Sequence, residues 1–162
     1  MLWRAVIFGL VFVVLQLSWQ TMGTSFGQAL IHDAAVGPAV AVVNLLTPSV
    51  HAVADGHTVR SRMGSLNIIN GCDGTEALFL LTAAFVAARL PWRVRLGGFL
   101  LGIPVVFVVN EMRILALFYA NLDDRAPFDF LHGTATPIAV ILLIAGYFYA
   151  VLSVQARAAA TR

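Results

Sequence analysis

The sequence predicts an all-α multi-pass membrane protein. About four transmembrane helices carry an outer interfacial helix and a short extracytoplasmic β-hairpin. Three observations lead there. Of the 162 residues, 60% are hydrophobic and only 11% are charged. The mean hydropathy of +0.88 is more than a soluble domain of this length can hide, so the solvent is lipid. Charge is unevenly placed: arginines gather at the start, around the 90–95 loop and on the tail, and the acidic residues lie in the other segments. The length fits a single integral domain. It divides into an N-terminal helix and outer segment at 1–69, a core at 70–153 and a basic tail at 154–162.

Residues 2–19, "LWRAVIFGLVFVVLQLSW", are apolar with a tryptophan near each end, which suits a helix with interfacial anchors. A signal peptide is the rival reading, with Arg4 as its basic start, but no A-x-A cleavage site stands out. The apolar run at 34–43 is short and contains Pro38, with Asn44 and Pro48 after it. Residues 28–52 therefore predict a helix on or dipping into the interface. Residues 53–69 are polar and partly alternating, which predicts a small hairpin around Arg62-Met63-Gly64. Three further spans are expected at 73–90, 96–119 and 134–153, the last with Thr136-Pro137 in its first turn, where proline is tolerated.

Arginine sets the orientation, because all ten basic residues are arginine. Arg89, Arg93 and Arg95 surround the loop at 90–95, Arg157 and Arg162 lie on the tail, and Arg4 lies at the start. With four spans these fall on one side, which makes both termini cytoplasmic. The eight acidic residues then lie on or near the opposite face. A net charge of +2, small and dispersed, excludes nucleic acid as a partner. One cysteine excludes an internal disulfide and any CxxC metal or redox motif.

That cysteine lies in "NGCDGTE", between glycines at the mouth of a helix. Arg113 stands 17 residues beyond Leu96, roughly 25 Å along a helix, near the outer edge of a core about 30 Å thick. Cys72, Arg113 and His132 can thus share one outer layer. Taken alone, each has a plain reading: a small buried hydrophobe, a snorkelling arginine, a structural loop histidine. Together they make chemistry. A helix N-terminus and a guanidinium lower a thiol pKa, and imidazole takes its proton and passes it to a leaving amine. Asn70, Gly71, Gly74, Glu76 and Asn110 are supporting candidates. Gly71 and Gly74 leave room for a substrate backbone. Glu76, four residues from Cys72, orients a base, pairs with Arg113 or merely starts a helix. Asn110, on the Arg113 face, bonds substrate backbone or a neighbouring helix. Glu111 lies about 200° away and faces elsewhere. His51 and His57 remain open as alternatives to His132.

At these residues the sequence resembles the exosortase/archaeosortase family of membrane cysteine transpeptidases. "NGCDG" resembles its nucleophile segment, "NEMRI" its N-x-x-R-I arginine segment, and "FDFLHG" its aromatic loop ending in histidine. The likeness covers about residues 50–153, and the short length is similar to small members such as the exosortase H type. Two positions depart: Asp73 stands where serine or asparagine is more usual, and "GTATP" follows His132 in place of an aromatic run. The resemblance implies a cysteine-type peptidase or transpeptidase of a prokaryotic inner membrane, with its active site on the extracytoplasmic side. Its substrates would be exported proteins ending in a short motif, a transmembrane helix and basic residues, and its neighbours membrane lipids. Cys72 would be the nucleophile, Arg113 the thiolate or oxyanion partner and His132 the acid/base, with no metal or organic cofactor. A surface polymer, or water, would accept the acyl group. The competing readings are a non-catalytic assembly or transport subunit and a lipid-modifying thiol enzyme.

Overall fold

The computed structural model describes residues 2–21, 32–68, 72–123 and 125–161. In chain order the elements are α1 (Leu2–Thr21), a π-helical turn (His32–Val36) running into α2 (Gly37–Leu46), a 3-10 turn (Pro48–Val50), strands β1 (Val53–Asp55), β2 (Thr58–Arg60) and β3 (Ser65–Asn67), helices α3 (Thr75–Ala87), α4 (Trp92–Asp123) and α5 (Arg125–Phe130), a second π-helical turn (Leu131–Ala135) and α6 (Thr136–Ala160).

Three helical segments are long and apolar enough to cross a membrane: Leu2–Thr21, Trp92–Leu122 and Phe128–Ala160. The span expected at 73–90 is shorter. Helix α3 has 13 residues, roughly 20 Å. Gly74, at φ +84°, starts it in a conformation that glycine adopts without strain. At the other end Ala88 has already turned extended (ψ 145°), and Pro91 stops the chain from continuing as helix. Helix α3 nevertheless packs against α1, α4 and α6. Helix α3 runs antiparallel to α1 and α4, and α4 antiparallel to α6, since Trp19 meets Phe79, Gly102 lies against Leu81 and Gly98 against Val151; α3 and α6 therefore run parallel.

Glycines set how closely these helices approach. A Cβ on Gly102 would come within 2.5 Å of Leu81 and 2.9 Å of Tyr147, and one on Gly98 within 2.8 Å of Phe85. Tyr147 uses that closeness to donate its hydroxyl to the Gly98 carbonyl at 2.6 Å. Small residues at crossings are the usual solution where lipid offers no hydrophobic drive between helices.

The interfacial helix expected over 28–52 takes a different role within its described part. Ala35, Val36, Ala39 and Val43 are buried with Ile114, Leu117 and Phe118 of α4. Helix α2 is therefore one wall of a protein core. Asn44 locks its end by exchanging two 2.8 Å hydrogen bonds with the Ala52 backbone, and Thr47 meets Tyr119 at 2.9 Å.

The expected hairpin is a three-stranded antiparallel sheet of order β1-β2-β3. The turn at Arg62-Met63-Gly64 joins β2 to β3, with the Ser61 amide and hydroxyl both donating to the Gly64 carbonyl. A second turn, Gly56-His57 with Gly56 at φ +58°, adds β1. The exposed Arg60–Asp55 pair at 3.0 Å contributes little stability. Val59, Leu66 and Ile68 join the α2 core, and so does Cys72.

Two apolar cores result. The first holds α2, the sheet and the C-terminal half of α4; the second holds α3, α6 and the middle of α4. Gly102→Val should overpack the second core, costing about 1–3 kcal/mol. A lowered melting temperature in detergent would show it, with Gly97→Ala, where a Cβ meets nothing within 4 Å, as a near-neutral control. Equal melting of both variants would refute the close-packed crossing.

Candidate active site

A polar layer separates the two cores. Thr75, Asn110, Glu111 and Thr136 are its buried polar members, and Cys72 sits beside them at 7% exposure. Cys72 Sγ and His132 Nε2 are 3.3 Å apart. His132 stands in the π-helical turn before α6. Phe128, one turn earlier, stacks on its ring at 5.5 Å with the planes 5° apart. The stack fixes the imidazole plane so that one nitrogen faces the thiol. His51 and His57 form no described bond to the cysteine.

Arg113 lies behind the histidine. Its Nε donates to Thr136 Oγ1 at 3.1 Å, and that hydroxyl donates to the Leu131 carbonyl at 2.9 Å. A π-helical turn leaves its carbonyls wider spaced, and this chain of bonds pins the turn that carries His132. Thr136 and Phe128 were not singled out from the sequence. Their signals, a hydroxyl in "TATP" and an aromatic four residues before the histidine, are ordinary in an apolar chain.

Asn110 Nδ2 donates to the Cys72 carbonyl at 3.2 Å. Of its two expected roles, it therefore satisfies the protein's own backbone, at Cys72. Gly74 makes this possible: a Cβ there would lie 2.9 Å from Asn110 Cγ. The room expected at Gly74 for a substrate is thus filled by Asn110. Asn70 and Gly71 lie outside the described residues. Glu76 turns outward, accepting from Gln16 Nε2 of α1 at 3.2 Å, so it ties α1 to α3. Asp73 Oδ1 accepts from the Thr75 amide at 3.2 Å and the Thr75 hydroxyl at 2.8 Å, organising the first turn of α3. Glu111 is buried, with neither carboxylate oxygen hydrogen-bonded among the described residues.

A cavity of about 230 Å³ reaches the thiol. Cys72, His132, Phe128, Asn121, the β3 residues Ser65–Asn67 and Ile68 line it.

The electrostatics reverse one expectation. A lowered thiol pKa is the sequence reading, yet burial raises it. Arg113 pulls it down, while the charges of Asp73 and Glu76 push it up. The local rule for helix N-termini concerns a solvated thiol; a thiolate removed from water loses more than the nearby positive charge returns.

The family model described as Transmembrane exosortase (Exosortase_EpsH) matches residues 1–149. The chain belongs to this family. No curated protein and no solved structure matches it. As an exosortase-family membrane protein it carries its cysteine, arginine and histidine on three different elements that converge on one layer.

The opposing charges around Cys72 can be separated by its alkylation rate against pH. Wild type should show a midpoint above that of an ordinary cysteine, about 8.5. Arg113→Gln removes the charge that favours thiolate and should move the midpoint up. Asp73→Asn removes one that opposes it and should move the midpoint down. Mass spectrometry after timed exposure to iodoacetamide reads this; a downward move in Arg113→Gln would contradict the assignment.

Proposed function

We propose that this exosortase-family protein is a membrane cysteine transpeptidase that cleaves the C-terminal sorting tail of exported proteins through an acyl-enzyme on Cys72. The 3.3 Å pairing of Cys72 Sγ with His132 Nε2 beside a cleft carries the reading. As Sγ attacks the scissile carbonyl, its proton passes to Nε2. The tetrahedral oxyanion collapses, the C–N bond breaks, and the imidazolium gives its proton to the leaving amine. A thioester remains on Cys72 until an acceptor amine or water attacks it and the thiol regains a proton. Arg113 supplies positive charge to the developing anion and, through Thr136, holds the histidine turn in place.

The raised thiol pKa fits a mechanism in which deprotonation accompanies attack. No standing thiolate is needed, because the imidazole is already within reach.

The cleft suits an extended peptide. β3 is an edge strand. Ile68 bonds His57, and Ser61 bonds Gly64, so the alternation turns the Ser65 and Asn67 backbone groups away from β2. Asn121 Nδ2 already takes the Ser65 carbonyl at 3.0 Å. A substrate motif added along this edge would gain main-chain hydrogen bonds while its scissile bond approached Cys72.

In this reading the protein lies in a prokaryotic inner membrane with four crossings, α3 being the short one. Both termini are cytoplasmic, and α2, the sheet and the cysteine lie on the extracytoplasmic side. The antiparallel bundle and the arginines at one end of it support this. A transmembrane tail must be cut where its backbone leaves the bilayer, and the outer helix ends offer that place. The acceptor is a surface polymer or water.

Co-expression with an exported protein bearing a motif, an apolar helix and terminal arginines tests the proposal. Intact mass should show shortening with wild type and none with Cys72→Ala. His132→Ala should slow processing by roughly 10²–10⁴-fold, and Arg113→Lys should recover more than Arg113→Ala. Equal shortening with wild type and Cys72→Ala would sink the cysteine mechanism.

A further inference from the structure

A second cavity lies away from the cysteine. It is a groove of about 510 Å³ between α1 and α6, floored by α3. Ala84, Ala87 and Ala88 on the α3 side and Ala145 of α6 line it, and their short side chains leave the space open. Phe8, Phe148 and Leu152 make it apolar. Among the described residues no acidic one lines it.

Its polar lining is two arginines, Arg4 of α1 and Arg89 just beyond α3. Because α1 and α3 run antiparallel, both guanidiniums stand at the same end of the bundle. Neither pairs with a carboxylate among the described residues. Leaving two like charges together without an acidic partner is unfavourable unless an anion or water joins them.

The dimensions narrow the occupant. Along α3 the groove runs from Leu80 to Arg89, nine residues or roughly 14 Å. Along α6 it runs from Ile141 to Leu152, eleven residues or roughly 16 Å. Half of a hydrocarbon core of about 30 Å is about 15 Å. The groove is therefore one leaflet deep, apolar along its length and cationic where that leaflet meets its headgroups. A transmembrane peptide would need twice the length. A sorting tail, which ends in basic residues, would also bring positive charge to the arginines.

We propose that this groove is a binding site for an anionic phospholipid of the leaflet on the Arg4 side, with its acyl chain along α3 and its phosphate between Arg4 and Arg89. The site is separate from the cysteine layer, and the proposal does not depend on the catalytic reading. A lipid seated there would cover the apolar gap between α1 and α6 and neutralise the arginine pair.

Native mass spectrometry of the purified full chain, exchanged into equal amounts of phosphatidylglycerol and phosphatidylcholine with the same acyl chains, tests it. Wild type should retain phosphatidylglycerol over phosphatidylcholine by roughly thirtyfold, what two arginine–headgroup contacts supply. R4Q/R89Q should fall to near parity. Ala84→Trp keeps both arginines and fills the groove, and it should also lose the bound phosphatidylglycerol; it serves if the double variant fails to fold. Parity in wild type would overturn the proposal. So would a preference that survives Ala84→Trp, which would place the lipid on the arginines alone. Displacement of the lipid by an equal concentration of an apolar helical peptide ending in arginines would overturn it in favour of a helix occupant.

Discussion

The hydrogen bond from Asn110 to the Cys72 carbonyl is the constraint around which the site is arranged. Inside a membrane protein every backbone polar group needs an internal partner. The Cys72 carbonyl lies just before α3, outside the helical ladder, and Asn110 is 4% exposed. Meeting that need forces α4 against the start of α3, and the approach is possible only because residue 74 has no Cβ. Once α4 is held there, Arg113, three residues on, reaches Thr136 at the start of α6. The histidine turn follows from that second contact. One buried carbonyl thus sets the register of three elements. The polar layer persists between two apolar cores because each bond in it leads to the next.

The charges in this layer do not all favour the thiolate. Burial, Asp73 and Glu76 oppose it, and Arg113 supports it. A buried thiol of this kind is slow to react with passing electrophiles. In the proposed function it would become a nucleophile only when a substrate carbonyl is in place and His132 removes the proton during attack. Protection from oxidation and activity toward a bound substrate would then be compatible.

Much of this was legible in the sequence, and the limits have physical reasons. Cys72, Arg113 and His132 could be placed in one layer because helix rise converts residue spacing into depth, and depth does not depend on packing. The proline start of α6 and the Arg62-Met63-Gly64 turn were readable for the same local reason. What failed required knowledge of neighbours. Gly74 was read as space because a sequence does not say that Asn110 will occupy it. Glu76 shares a helical face with Cys72, but α1 decides which way it turns. The sign of the thiol shift was missed because the helix terminus is local and desolvation is tertiary. Helix α2 was read as interfacial from its short apolar run, whereas its partners on α4 bury that run. Phe128 was read only as part of an aromatic loop and Thr136 only as part of a helix start; their contacts with His132 and Arg113 depend on packing that spacing does not show.

The brevity of α3 has a consequence for the bilayer itself. In the four-crossing reading proposed above, α3 is a helix roughly 20 Å long beside α1, α4 and α6 in a hydrocarbon layer of about 30 Å. Such hydrophobic mismatch is relieved by thinning the adjacent lipid or by admitting water above the short helix. Either response concentrates at the mouth of α3, where Gly74 and Cys72 lie. The dielectric there rises locally, and an entering helix meets water before it clears its neighbours. Its backbone hydrogen bonds can then exchange with water one turn earlier than in undisturbed lipid. The missing turns of α3 make the membrane part of the machinery that presents an extended chain.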